Sequence, residues 1–334
     1  MTPTAAEAFT LSSGRLRASG SPGRLRASGS PGRLRAFGLV AVAATLLAAL
    51  AGCETLSQEQ KAPEVLSLPA IEPVAPGTLA LAERALSEDR HEDADQLINR
   101  VLLSEPENWE ARLLLAELYL ASGKPQLAEP IFDSLVEKAG ITGRALQGLG
   151  ISLTLQGNMD GGVDNLQRAV AEDPGLWRAW SALGYHHDSN RDWAAAAGSY
   201  EKALEGNPNS ALIYNNRGFS RLSQKRLEEA VADFDRALRL DPEFEVAREN
   251  LRLALAWQGK YVHAMAGASN RDLARILNNI GFIALMRGDY GNAEAYLLRA
   301  MEADPSYNET AARNLTYLKQ VREMAKGQSE SIAN

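Results

Sequence analysis

The sequence of 334 residues holds a single cysteine, Cys53, and four histidines, His91, His186, His187 and His263. With no second cysteine, no intramolecular disulfide can stabilise the fold. Neither a Walker loop nor an H-E-x-x-H pattern occurs, and one cysteine with few histidines leaves little room for a nucleophile pair. Aromatic residues make up 6%, and Val, Ile and Thr are sparse beside Ala and Leu, which favours helices over sheets. Basic charge is short as well, with 35 Lys and Arg against 42 Asp and Glu. Six of the arginines and only one acid, Glu7, fall within residues 1–52, so the remainder carries 29 basic and 41 acidic residues, a formal charge of −12. Phosphate contacts need clustered Lys and Arg, so an acidic body excludes nucleic acid as an expected partner.

One cluster approaches a metal site, His186-His187-Asp188 with Asn190 and Asp192. Adjacent histidines on a helix point about 100° apart and cannot share an ion. Asp188-x-Asn190-x-Asp192 resembles the start of a calcium loop, but Trp193 stands where that loop needs glycine and no bidentate Glu closes it. Asp and Asn are ordinary turn residues at such a place. No metal, no cofactor and no catalytic residue is expected, and the protein reads as a non-enzyme.

The first 52 residues read as a low-complexity basic extension followed by a signal peptide. Positions 14–38 repeat GRLRASGSP, GRLRASGSP and GRLRAFG, a unit that cannot bury a core. It reads as a repeat expansion or a start codon assigned too early, rather than as a cytoplasmic basic arm. Phe37 to Leu50 then forms an apolar run of fourteen residues, short for a bilayer span and right for a signal-peptide core. Leu50-Ala51-Gly52-Cys53 closes it. That tetrad resembles the bacterial lipobox, which implies that the Cys53 thiol receives a diacylglyceryl group and the new amine a further acyl chain such as palmitate. Each buried methylene contributes about 0.8 kcal/mol, so several chains make a lasting anchor. Glu54, not Asp, follows the cysteine, which implies sorting to the bacterial outer membrane, facing the periplasm. Residues 53–76 hold Pro63, Pro69, Pro73 and Pro76 and no helical period, as expected of an extended, disordered linker.

Beyond it a period of 34 appears. Pro106, Pro174, Pro208 and Pro242 are 68, 34 and 34 residues apart, Gly140 fills the missing place, and Pro305 ends the series out of step. Taking units from 75, 109, 143, 177, 211, 245 and 274, the eighth position reads Ala82, Ala116, Gly150, Gly184, Gly218, Arg252 and Gly281. The twentieth is Ala or Gly throughout, Ala94 to Ala293, and the twenty-fourth is bulky in Ile98, Phe132, Leu166, Tyr200, Phe234 and Leu297. Small residues at positions 8 and 20 let paired helices approach, and the large one fills the seam. This pattern resembles the tetratricopeptide repeat over residues 75 to about 308. The resemblance implies an all-α superhelical solenoid of about seven helix-turn-helix repeats. Arg252 breaks the rule at position 8, and the sixth unit has only 29 residues, so its second helix, near Tyr261 to Ala268, must be short. A hinge or a pocket is expected there. The stretch after Pro305 reads as an amphipathic capping helix with Ala311, Leu315, Leu318 and Val321 inward. The repeat domain is expected over 77–325, with a disordered tail over 326–334.

In that register the first helices offer a groove lined by Leu113, Glu117, Gln147, Ile151, Tyr185, Phe219, Leu222, Leu253, Trp257, Phe282 and Met286. Aromatics beside polar groups suit a partner segment, and Tyr185, Phe219, Trp257 and Phe282 are the candidate anchors. The alternative for Phe219 and Phe282 is sideways packing onto the next unit. Position 6 reads Asn216, Asn250 and Asn279, with Asn314 matching in the cap. A carboxamide both donates and accepts, so such a ladder can hold an extended backbone.

The final third, NLRLALAWQGKY, the shortened unit and LNNIGFIALMRGDYGNAEAYLLRAMEADPSYNETAARNLTYL, is similar to the TadD-type tetratricopeptide lipoproteins of tight-adherence (Tad/Flp) pilus systems. The resemblance implies a scaffold that assists assembly or localisation of the pilus secretin, holding a segment of it or of another pilus component in the groove. The alternative is a tetratricopeptide lipoprotein adaptor for peptidoglycan hydrolases or another envelope complex, which shares anchor and fold.

Overall fold

The computed structural model describes residues 75–303 and 308–333. Cys53, the signal segment and the linker up to residue 74 lie outside the described residues. Among these residues there are fifteen helices and no strand. Seven pairs follow in chain order: α1 (Thr78–Ser87) with α2 (His91–Ser104), α3 (Trp109–Ala121) with α4 (Pro125–Asp133), and α5 (Thr142–Leu155) with α6 (Met159–Glu172). Then come α7 (Trp177–Ser189) with α8 (Trp193–Gly206), α9 (Ala211–Ser223) with α10 (Leu227–Leu240), α11 (Glu245–Trp257) with α12 (Tyr261–Ala264), and α13 (Leu273–Met286) with α14 (Tyr290–Ala303). α15 (Asn308–Ala333) closes the stack, running on through residues expected to form a tail.

Local chemistry fixes where each helix begins and ends. Asn108, Asn158, Asp192 and Ser210 cap helix starts, their side-chain oxygens accepting the N–H groups of Ala111, Gly161, Ala195 and Ile213. Every first helix stops the same way. Position 15 is left-handed in all seven units: Gly123, Gly157, Gly259 and Gly288, but also Asp89, Arg191 and Lys225 at φ 55, 57 and 62°. One residue later the backbone N–H reaches back to the carbonyl of position 11, from Arg90 to Ala85 and onward to Asp289 to Ala284. This is a Schellman closure, repeated seven times. α4, at 9 residues, is shorter than the 14-residue second helices on either side of it and holds Pro130, which cannot donate to the helix.

Within each pair, the residue at position 24 fills the seam and that at position 8 yields to it. Ile98, Phe132, Leu166, Tyr200, Phe234 and Leu297 are all buried. A Cβ placed on Gly184 would stand 2.8 Å from the Tyr200 ring, and on Gly218 2.8 Å from the Phe234 ring. Gly150 is tight against both Leu166 (2.7 Å) and the carbonyl of Gly162 at position 20 (2.9 Å). No larger side chain fits at such separations without moving a helix.

The sixth pair departs as its sequence requires. α12 is four residues long, and Arg252 is 9% exposed at the position other units keep small, its guanidinium reaching the Ala266 carbonyl. The cap meets the pattern: Ala311 and Leu318 are buried, and Leu315 and Val321 pack against the same apolar cluster.

Candidate partner-binding groove

Successive first helices touch one another from α1 through α13, so their outer residues form one continuous face. Position 9 along it runs Glu83, Glu117, Ile151, Tyr185, Phe219, Leu253 and Phe282. Charge thus gives way to apolar and aromatic surface after the second unit. Tyr185 is 50% exposed, and Leu212 and Val246 at position 2 are 44% and 50% exposed, continuing the apolar strip beside it. Phe219 and Phe282 are half-buried. Trp257 is half-buried too, packing on the C-terminal core cluster, and its carbonyl accepts from Arg287. The four aromatic candidates therefore occupy the same helix series. Tyr185 is the most accessible of them, and Trp257 has a packing role.

The acidic end is internally paired. Arg144 contacts Glu117 at 2.9 Å and Glu83 at 3.1 Å, joining three consecutive units across the face. Burial lowers the affinity of Arg144 for its proton, but the two carboxylates outweigh it and its pKa is raised. Glu117 is thereby an ion-pair partner within the chain.

The asparagines fall into two groups. Asn216 donates its amide to the Ser181 hydroxyl at 3.3 Å, Asn250 to the Asn215 carbonyl oxygen at 2.9 Å, and Asn314 to Asn278 at 2.9 Å. In each case position 6 of one unit reaches position 5 of the unit before, and Ser181, Asn215 and Asn278 are buried. These amides clamp neighbouring repeats. Gln147, also at position 5, accepts the backbone N–H of Ala179 at 3.1 Å. Asn279 differs: its acceptor position in the preceding unit is Glu249, which is taken by Arg252 and Arg275, both at 2.6 Å. Burial alone would raise the Glu249 pKa, yet the hydrogen bond from Arg275 and the charges of both arginines prevail and lower it. Among the described residues no hydrogen bond engages the Asn279 carboxamide. Of the polar residues at position 5 only Gln147 is singled out from the sequence, as a groove residue, whereas it is buried and ties two units together; Ser181, Asn215 and Glu249 follow it at the same spacing of 34, which carries the inter-repeat signal.

Asp188 sits in a half-buried hydrogen-bond knot, accepting from Tyr200 at 2.8 Å and Ser220 at 2.6 Å. Burial raises its pKa, partly offset by those two donors and by His187. It links α7, α8 and α9. The rings of His186 and His187 stand 5.9 Å apart edge to face, and among the described residues no group of three or more His, Cys, Asp or Glu is placed to hold a metal ion. Nor is any described helix long and apolar enough to cross a membrane.

Paired helices at a period of 34, a shared seam and an open first-helix face define a repeat scaffold for protein contacts. Models of the tetratricopeptide repeat match residues 85–147, 119–176, 149–211, 181–243 and 274–307, spans that take in more than half of the chain. The chain belongs to the tetratricopeptide-repeat proteins. The interval 244–273 between those spans takes in the shortened sixth unit. The small glutamine-rich tetratricopeptide repeat-containing protein 2 of Mycosarcoma maydis is 38% identical over 79 residues, 23% of this chain and 22% of its own length. The peroxisomal targeting signal receptor of Saccharomyces cerevisiae is 37% identical over 82 residues, 25% of this chain and 13% of that one. The similarity thus spans about a fifth or less of these curated relatives. Among solved structures, a chain of the Cut9–Hcn1 hetero-tetramer of the APC/C aligns with a TM-score of 0.53 at 18% identity, covering 72% of this chain and 52% of that one. That likeness is one of fold.

Proposed function

We propose that the protein is a lipid-anchored scaffold of the bacterial outer membrane. On this reading it is tethered through Cys53 at the periplasmic face and holds a segment of the secretin, or of another pilus component, for Tad/Flp pilus assembly. The observation that carries the reading is the exposed apolar strip of Tyr185, Leu212 and Val246 beside Phe219 and Phe282, on a face built from successive first helices. Rigid apolar anchors on a preformed surface bind a partner segment at low entropic cost. Of the asparagines, Asn279 is free for a partner, whereas Asn216 and Asn250 contribute chiefly by fixing the spacing of the repeats. The lipobox tetrad and the likeness of the C-terminal third to TadD-type lipoproteins support the address and the pathway. The scaffold itself performs no chemistry in this role.

The test is crosslinking and pull-down of the lipidated protein from membranes, followed by identification of what is bound to the first-helix face. The secretin or a pilus component is the expected prey, lost when Tyr185 and Phe282 are both replaced by Ala. A catch containing only cell-wall hydrolases would overturn the pilus assignment in favour of a hydrolase adaptor.

A further inference from the structure

The shortened sixth unit exchanges an apolar seam for a polar one. Position 24, bulky in the other six units, is Ala268 here, and position 8, elsewhere Ala or Gly, is Arg252. The buried Arg252 side chain carries its guanidinium inward, donating to Glu249 at 2.6 Å and to the Ala266 carbonyl at 3.4 Å. Its Nε–H is covered and has no acceptor among the described residues. A buried donor left in that state costs stability, and more when it belongs to a charged group. Beside it, between α11 and α13, lies a cavity of about 10 Å³ lined by Glu249, Arg252, Leu253, Asn279, Ile280 and Ile283 among others. One orphaned donor and the acceptor oxygens of two further side chains thus border the same small space.

We propose that this cavity is a binding site for one water molecule, held as a structural part of the joint between the sixth and seventh units. The water accepts from Arg252 Nε, donates one hydrogen to the Glu249 carboxylate and donates the other to Asn279 Oδ1. Three hydrogen bonds are the usual complement of a buried water. Glu249 and Arg252 come from α11 and Asn279 from α13, so the water bridges the two helices beside the Glu249–Arg275 ion pair.

Size and charge both select water. One water needs roughly 10 to 15 Å³ of free space, so the cavity has no room for a larger guest. The Arg252 guanidinium repels a cation and the Glu249 carboxylate repels an anion, which leaves a neutral molecule that both donates and accepts. A wall of Leu253, Ile280 and Ile283 alone would stay dry, as apolar cavities do. The orphaned Nε–H and the two acceptors facing it make this one wet.

The experiment is water–methyl cross-relaxation by NMR on the full chain, 13C-labelled at the isoleucine δ1 methyls. A water held for nanoseconds or longer gives a nearby methyl NOE and ROE cross-peaks of opposite sign, whereas passing solvent gives the same sign. Opposite signs are expected at Ile280 and Ile283. Asn279→Leu, close in shape but without the acceptor, displaces the water: those cross-peaks vanish and the urea midpoint falls by about 0.5 M, the worth of an unsatisfied donor. In the R252M background the orphaned donor is gone, so adding Asn279→Leu leaves the midpoint where R252M put it. Cross-peaks of the same sign, or none, in the parent would overturn the proposal. So would cross-peaks that persist in Asn279→Leu, because they would then be relayed through the exchanging guanidinium protons. An Asn279→Leu cost that is equal with and without Arg252 would overturn it as well.

Discussion

Replacing Asn215 by Ala removes the acceptor that Asn250 uses and the amide that donates to Asn216 at 3.2 Å. Asn215 is 6% exposed, so water does not replace either bond freely. At about 1 kcal/mol net per hydrogen bond the loss is about 2 kcal/mol, and Asn250→Ala alone costs about 1. The bond between them can be lost only once, so the double variant costs about 2 kcal/mol rather than 3, a coupling of about 1 kcal/mol. Urea unfolding followed by far-UV circular dichroism reads this directly. With a slope of about 3 kcal/mol/M for a domain of this size, Asn215→Ala lowers the midpoint by about 0.7 M. Costs that add to within about 0.3 kcal/mol would refute an inter-repeat role for these carboxamides. Loss of partner affinity from Asn250→Ala at unchanged stability would refute it too, by returning Asn250 to the partner.

Other consequences follow from the same geometry. Arg191 and Lys225 hold left-handed backbone where four sibling units have glycine; R191G and K225G should each raise stability by about 1 kcal/mol, seen as higher melting temperatures. Asp233 is 3% exposed and accepts from Arg217 at 2.7 and 3.0 Å and from Arg221 at 2.6 Å. Asp233→Ala strands two arginines and should cost about 3 to 5 kcal/mol by urea unfolding, with the fifth pair losing its protection from hydrogen exchange. Glu249 has a pKa below its ordinary value, against the pull of burial, because Arg275 and Arg252 hold it charged. Its contribution is therefore full above the ordinary carboxylate range and is lost as pH falls through the lowered value. Between neutral pH and acid, the stability of Glu249→Gln should fall less than that of the parent in paired melting curves.

Much of this architecture is legible in the chain. The seam shows because it repeats a steric demand: Gly184 and Gly218 are small since Tyr200 and Phe234 lie against them. The brevity of α12 follows from counting residues, and the cap from four apolar positions that the packing confirms. Two features escape such reading. Arg191 and Lys225 give no chemical sign of left-handed backbone, since the Schellman closure that imposes it is made by main-chain atoms. The asparagine series is visible, but its use is not. Whether a carboxamide at position 6 faces a partner or the previous unit depends on the residue at position 5, where Ser181 and Asn215 present an acceptor and Glu249 is already engaged.

That difference matters once the scaffold bears load. If a pilus component held on the C-terminal units pulls against an anchor at the other end, tension passes through each inter-repeat contact in turn. A neutral carboxamide bond such as Asn250 to Asn215 is short-ranged and fails after a fraction of an ångström of stretch. The Glu249–Arg275 contact between the sixth and seventh units falls off only gradually with distance. The junction with the least helix is thus held by the longest-ranged force. Added salt, by screening that attraction, weakens this junction more than those held by neutral carboxamides.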